Sequence, residues 1–233
     1  MIRSLALIVV GLFLAVSGPQ EACAQSTLSD RNGDGVVEVL AFGDSITYGV
    51  GDGIPPGQYV EQIYDAGAPR GYPLRLSSML NISVLNAGVP GEELTTTGAY
   101  RFPGVVAGSS ADTVIIKEGI NDAVHVVDTG TFSEAMQRVI NVARAEGKGV
   151  VIATLAPPTQ IHASLAPIAN AYSDSIRTLA VLNSVPLVDL EAVFYEACPM
   201  LSTCSFYNLP EGLHPNTLGY DAIAEAMADG LRG

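Results

Sequence analysis

Val36-Val37-Glu38-Val39-Leu40-Ala41-Phe42-Gly43-Asp44-Ser45-Ile46-Thr47 decides how the rest of the chain is read. Apart from Glu38, residues 36–42 are apolar, as expected of a strand buried on both faces. Gly43-Asp44-Ser45 then ends the run with residue types that favour turns and helix caps. A serine hydroxyl is thereby placed at the mouth of a strand. In an open parallel sheet, ligands bind beyond the carboxyl ends of the strands, so Ser45 is a candidate site residue if the rest of the chain builds such a sheet.

Three further segments follow in order: Asn86-Ala87-Gly88-Val89-Pro90-Gly91, Gly119-Ile120-Asn121-Asp122 and Glu211-Gly212-Leu213-His214-Pro215-Asn216. The first two trail short β-like runs at 82–85 and 113–118; the third precedes a helix-like segment. Ser45, Gly88 and Asn121 would then share one rim of the sheet. Serine is a weak nucleophile and needs an adjacent base to take its proton. The chain has three histidines. His214 is the expected base, because Glu211 stands three residues before it and can reach its other ring nitrogen. His125 and His162 are expected on loops or the surface. The negative oxygen formed when a carbonyl is attacked must meet preset donors. The N–H of Ser45, the N–H of Gly88 and the side-chain amide of Asn121 fit that need. Read blandly, the glycines only permit a turn and Asn121-Asp122 only caps a helix.

Elsewhere strand-like and helix-like segments alternate. Helices are predicted over 72–80, 132–146, 163–184 and 216–231, and strands over 36–42, 82–85, 113–117, 150–155 and 186–188. Continuous apolar strands alternating with helices imply a parallel sheet covered on both faces. Two Gly- and Pro-containing stretches read as long loops, a length that often marks binding. They are 49–70, with Tyr59 and Tyr64, and 92–103, with Tyr100 and Phe102. Both are candidates for substrate selection.

The four blocks together resemble the SGNH hydrolases, also called GDSL esterases/lipases. That family has a Ser in Gly-Asp-Ser, a Gly, an Asn in Gly-x-Asn-Asp and a His in Asp-x-x-His-Pro. The matching positions here are Ser45, Gly88, Asn121 and His214, and the likeness runs from about Val36 to the C-terminus. It implies a three-layer α/β/α sandwich on a five-stranded parallel sheet of flavodoxin-like kind. It also implies a serine esterase with no metal or organic cofactor, acting as a monomer on small-molecule or acylated-carbohydrate esters. One position departs from the pattern: Glu211 stands where the family usually has Asp. Glutamate keeps the charge and adds a methylene, and other hydrolase folds use it as the triad acid. The alternatives are that a backbone carbonyl orients His214, or that Asp189 supplies the acid, although Asp189 more naturally caps the next helix. A catalytically inactive carbohydrate-binding module on the same fold is the rival reading.

Residues 1–24 read as a secretory signal. Arg3 gives the positive start, 5–16 an apolar core too short to span a bilayer comfortably, and Ala22-Cys23-Ala24 a small-x-small cleavage site. Acylation of Cys23 is disfavoured by the polar Gln20 and Glu21. Residues 25–233 then form one domain, secreted or periplasmic, with no membrane anchor expected. In an oxidising compartment Cys198 and Cys204 are expected to pair. The net charge of −13 argues against nucleic acid or anionic membranes as partners. The chain has no Trp for a sugar platform but nine Tyr. Asp30-Arg31-Asn32-Gly33-Asp34-Gly35 matches the first half of a calcium loop. However, Ala41 takes the place of the closing acid, so a polar turn is the expected reading of Asp30, Asn32 and Asp34, and calcium binding completed by Glu38 through water is the alternative.

Overall fold

The computed structural model describes residues 27–58 and 70–233. The expected signal segment 1–24, with Cys23, and the loop residues Tyr59 and Tyr64 lie outside the described residues.

Five parallel strands form one sheet: β1 (Glu38–Gly43), β2 (Ser83–Gly88), β3 (Thr113–Lys117), β4 (Gly149–Ala153) and β5 (Leu187–Val188), in spatial order β2-β1-β3-β4-β5. This is the flavodoxin-like order, and the chain changes direction of growth between β1 and β3, where such sheets open a crevice. The side-chain period of two divides β1 between two cores. Leu40 and Phe42 join one cluster and Val39 and Ala41 the other. The first cluster is closed by α3 (Ala99–Ala107), α5 (Thr129–Ala145) and α6 (Ala166–Asn183), through Phe102, Met136, Tyr172 and their neighbours. The second is closed by α2 (Gly71–Leu80), α7 (Leu190–Ala197) and α8 (Thr217–Arg232), through Tyr72, Phe194 and Tyr220. The expected three-layer α/β/α sandwich is therefore the fold, and burial of each large side chain contributes about 1.5–3 kcal/mol to it.

The segment 92–103 differs from its expectation. It is not an open loop: a π-helical turn (Leu94–Gly98) runs straight into α3. Pro103 reads as a helix breaker because it lacks an N–H. Ala99, Phe102 and Val106 nevertheless place an apolar stripe against the core, and Phe102 meets Phe42 edge-on at 4.8 Å. Of the two aromatic residues, Phe102 is buried and Tyr100 is exposed.

The polar turn before β1 uses its own oxygens. Asp30 accepts from the N–H groups of Gly33 (2.6 Å) and Gly35 (2.9 Å), and Asp112 accepts from Arg31, Asn32 and Glu38. Among the described residues, no group of three or more His, Cys, Asp or Glu side chains is placed to hold a metal ion. No helix among them is long and apolar enough to cross a membrane.

Candidate active site

Asp44 follows β1 and caps the single-turn helix α1 (Ser45–Tyr48), its Oδ1 accepting from Ile46 N–H at 2.8 Å. Asp44 also meets Lys117 Nζ at 3.0 Å, and both side chains are fully buried. Charges so buried are costly unless paired. This pair joins the residue that follows β1, next to Ser45 in the chain, to the end of β3. The sequence reading did not foresee it; its signal is the lysine that closes the apolar run 114–116.

Ser45 Oγ lies 2.9 Å from His214 Nε2, and His214 Nδ1 lies 2.8 Å from Glu211 Oε1. The other carboxylate oxygen of Glu211 accepts from the N–H groups of Leu213 (2.9 Å) and His214 (2.8 Å). Burial pushes the Glu211 carboxyl up. The hydrogen bond and charge of His214 and these two backbone donors outweigh it and hold the group below its ordinary value. An ionised carboxylate only accepts, so the proton sits on His214 Nδ1 and the Nε2 lone pair faces the serine hydroxyl. Glu211 thus occupies the place of the expected acid despite its extra methylene. The next residue, Gly212, sits at φ +74°, and a side chain there would come within 2.4 Å of the Thr159 carbonyl.

Gly88 ends β2 directly beside Gly43 of β1. A Cβ on it would fall 2.2 Å from Tyr48 N, so only glycine lets β2 approach the helix that carries Ser45. Its N–H donates to Asn86 Oδ1 at 2.9 Å. Ser45 N–H is the first of its helix and has no acceptor within it. Asn121, in α4 (Ile120–Val124), donates to the Glu92 carbonyl at 2.8 Å with one of its two amide hydrogens. Its neighbour Asp122 is buried and accepts from Leu94 N–H (2.8 Å), Thr95 N–H (2.9 Å) and Thr95 Oγ1 (2.7 Å). The Asn121-Asp122 pair therefore clamps the chain that follows β2 onto the end of β3.

The remaining candidates fall outside this group. His125 is exposed and faces Glu93 at 3.1 Å. Asp189 caps α7 and is bound by Arg177. Cys198 and Cys204 form the expected disulfide, upstream of the segment that carries Glu211 and His214. Glu118, by contrast, is fully buried, and neither carboxyl oxygen has a hydrogen-bond partner among the described residues. Burial pushes it well above the ordinary carboxylate value. The negative charges of Asp44, Glu92 and Asp122 add to that, and Lys117 offsets them only in part. His162, expected to be an uninvolved loop residue, stands against the backbone of Glu211.

A family model described as GDSL-like Lipase/Acylhydrolase family matches residues 41–222. Among solved structures, the chain is similar to the lipase/acylhydrolase from Enterococcus faecalis, with 21% identity and a TM-score of 0.66 over 85% of this chain and 96% of that one. It is also similar to an acetylxylan esterase from Geobacillus stearothermophilus, with 21% identity and a TM-score of 0.68 over 84% of this chain and 94% of that one. A further acetyl xylan esterase gives 24% identity and a TM-score of 0.67 over 84% of this chain and 100% of that one. At these identities the likeness concerns the fold. No curated protein gives a significant match.

Proposed function

The chain belongs to the GDSL-like lipase/acylhydrolase family, and on that footing we propose that it is an exported serine esterase whose nucleophile is Ser45. The observation that carries this reading is the unbroken relay from Ser45 Oγ to His214 Nε2 (2.9 Å) and from His214 Nδ1 to Glu211 Oε1 (2.8 Å).

In the proposed reaction His214 takes the Ser45 proton while Oγ attacks the ester carbonyl. Glu211 keeps the imidazole in the productive tautomer and stabilises the imidazolium. The oxyanion is held by Ser45 N–H, by the second amide hydrogen of Asn121 and by Gly88 N–H, which would divide its hydrogen between the oxyanion and Asn86. The alcohol leaves with the proton from His214. Water, deprotonated by His214, then attacks the acyl-serine and releases the acid. The scheme requires no metal or organic cofactor, and a monomer is the proposed working unit.

Small O-acyl esters, including O-acetylated sugars, are the proposed substrates. Two acetylxylan esterases stand among the similar structures, which favours short acyl groups on carbohydrate. The rival reading, a binding module without catalysis, drew on the replacement of aspartate by Glu211, and the contact between Glu211 and His214 weakens that support. The test is hydrolysis of p-nitrophenyl esters from acetate to palmitate by residues 25–233 and by the Ser45→Ala variant. Turnover that falls with acyl length and vanishes in the variant is expected. Turnover that survives Ser45→Ala would overturn the assignment.

A further inference from the structure

The turn that follows β4 lies against the segment that presents Glu211 and His214. Thr159 N–H donates to the Gly212 carbonyl at 2.8 Å, and Ile161 N–H donates to the Pro210 carbonyl at 3.4 Å. Gln160 sits at φ +52°, an uncommon conformation for a residue with a Cβ, and donates through Nε2 to the Ser202 carbonyl. The next residue but one, His162, places Nδ1 2.8 Å from the Glu211 carbonyl oxygen. A carbonyl oxygen only accepts, so Nδ1 carries the hydrogen and donates it. The same nitrogen lies 3.8 Å from Glu211 Oε1, the oxygen that faces His214. A second imidazole thus holds the main chain of the acid at the residue that departs from the family pattern.

Glutamate has one more rotatable bond than aspartate, and a relay carboxylate must be held to within a fraction of an ångström. Its side chain is fixed by His214 and by two backbone N–H groups. All three belong to the same short segment, so they cannot fix that segment against the sheet. The 159–162 turn does so from outside, and His162 is its only side chain on Glu211 itself among the described residues. Resting on the esterase reading above, we propose that His162 is a positioning residue that sets the main chain of Glu211 and, through it, the orientation of His214.

The test compares His162→Ala, His162→Asn and His162→Gln in residues 25–233. Asparagine can place an amide donor where Nδ1 stands; glutamine cannot without moving it. The readouts are kcat and KM on p-nitrophenyl acetate, the rate at which a fluorophosphonate labels Ser45, and the melting temperature. Loss of one such hydrogen bond predicts a fall of about tenfold in kcat and labelling for Ala and Gln, with KM little changed. Asn is expected to return both rates to within about threefold of wild type. Wild-type rates in the Ala variant, or an Asn variant as slow as Ala at equal melting temperature, would overturn the role. If the wild type neither hydrolyses nor labels, the esterase reading itself fails and this role falls with it. If the wild type labels and all three variants match it, only the positioning role is lost.

Discussion

Asn121 and Asp122 are adjacent, yet their side chains do different work. Asp122 is consumed by three donors of the chain after β2, whereas Asn121 keeps one amide hydrogen uncommitted among the described residues. Asn121→Ala is therefore expected to lower kcat by about 10²–10³, as for a lost oxyanion donor, in steady-state assays. Asp122→Ala is expected to lower the melting temperature as well. Glu118 gives a prediction of opposite sign. Its folded-state pKa is raised, so between the unfolded value and the folded one the native state keeps a proton that the unfolded chain has lost, and stability declines as pH rises. Glu118→Gln is expected to match wild type near pH 3 and to be more stable at pH 7–8, measured by denaturant unfolding at each pH. Glu211 behaves the other way. Its folded value is depressed, so its contribution is complete above the unfolded carboxylate value and disappears as pH falls through the folded one.

At the scale of elements, the residue that follows β1 and the end of β3 are joined by the buried Asp44–Lys117 pair. Lys117→Met leaves an uncompensated buried carboxylate and is expected to cost about 3–5 kcal/mol in chemical denaturation. The strands and the helices α2, α5, α6 and α8 were legible because their signals are local: apolar runs for β1, β3 and β4, and spaced apolar residues for α5 and α8. The four site blocks were legible because each ends a strand or opens a helix, where few residue types serve. Three features were hidden because their causes lie far away in sequence. Lys117 needs Asp44, His162 needs Glu211, and the helix through Pro103 needs the face of Phe42. A proline outweighs a short apolar stripe in a local reading. Phe102 then gains its partner only when the sheet is assembled.

At the scale of the whole molecule, the site is built at the crevice of a 2-1-3-4-5 sheet from groups that lie far apart in the chain. The disulfide closes a short loop upstream of Glu211. By loop entropy, replacing both cysteines with serine is expected to cost about 2 kcal/mol, seen as a lower melting temperature. Export is part of the proposal, and N-terminal sequencing of protein collected outside the cytoplasm should begin near Gln25. The central claim is that His214 activates Ser45, and the most direct test is a fluorophosphonate reaction followed by intact mass and peptide mapping. The account predicts one adduct per chain, located on Ser45 and suppressed in His214→Ala. No adduct, an adduct on another residue, or undiminished labelling in His214→Ala would contradict it.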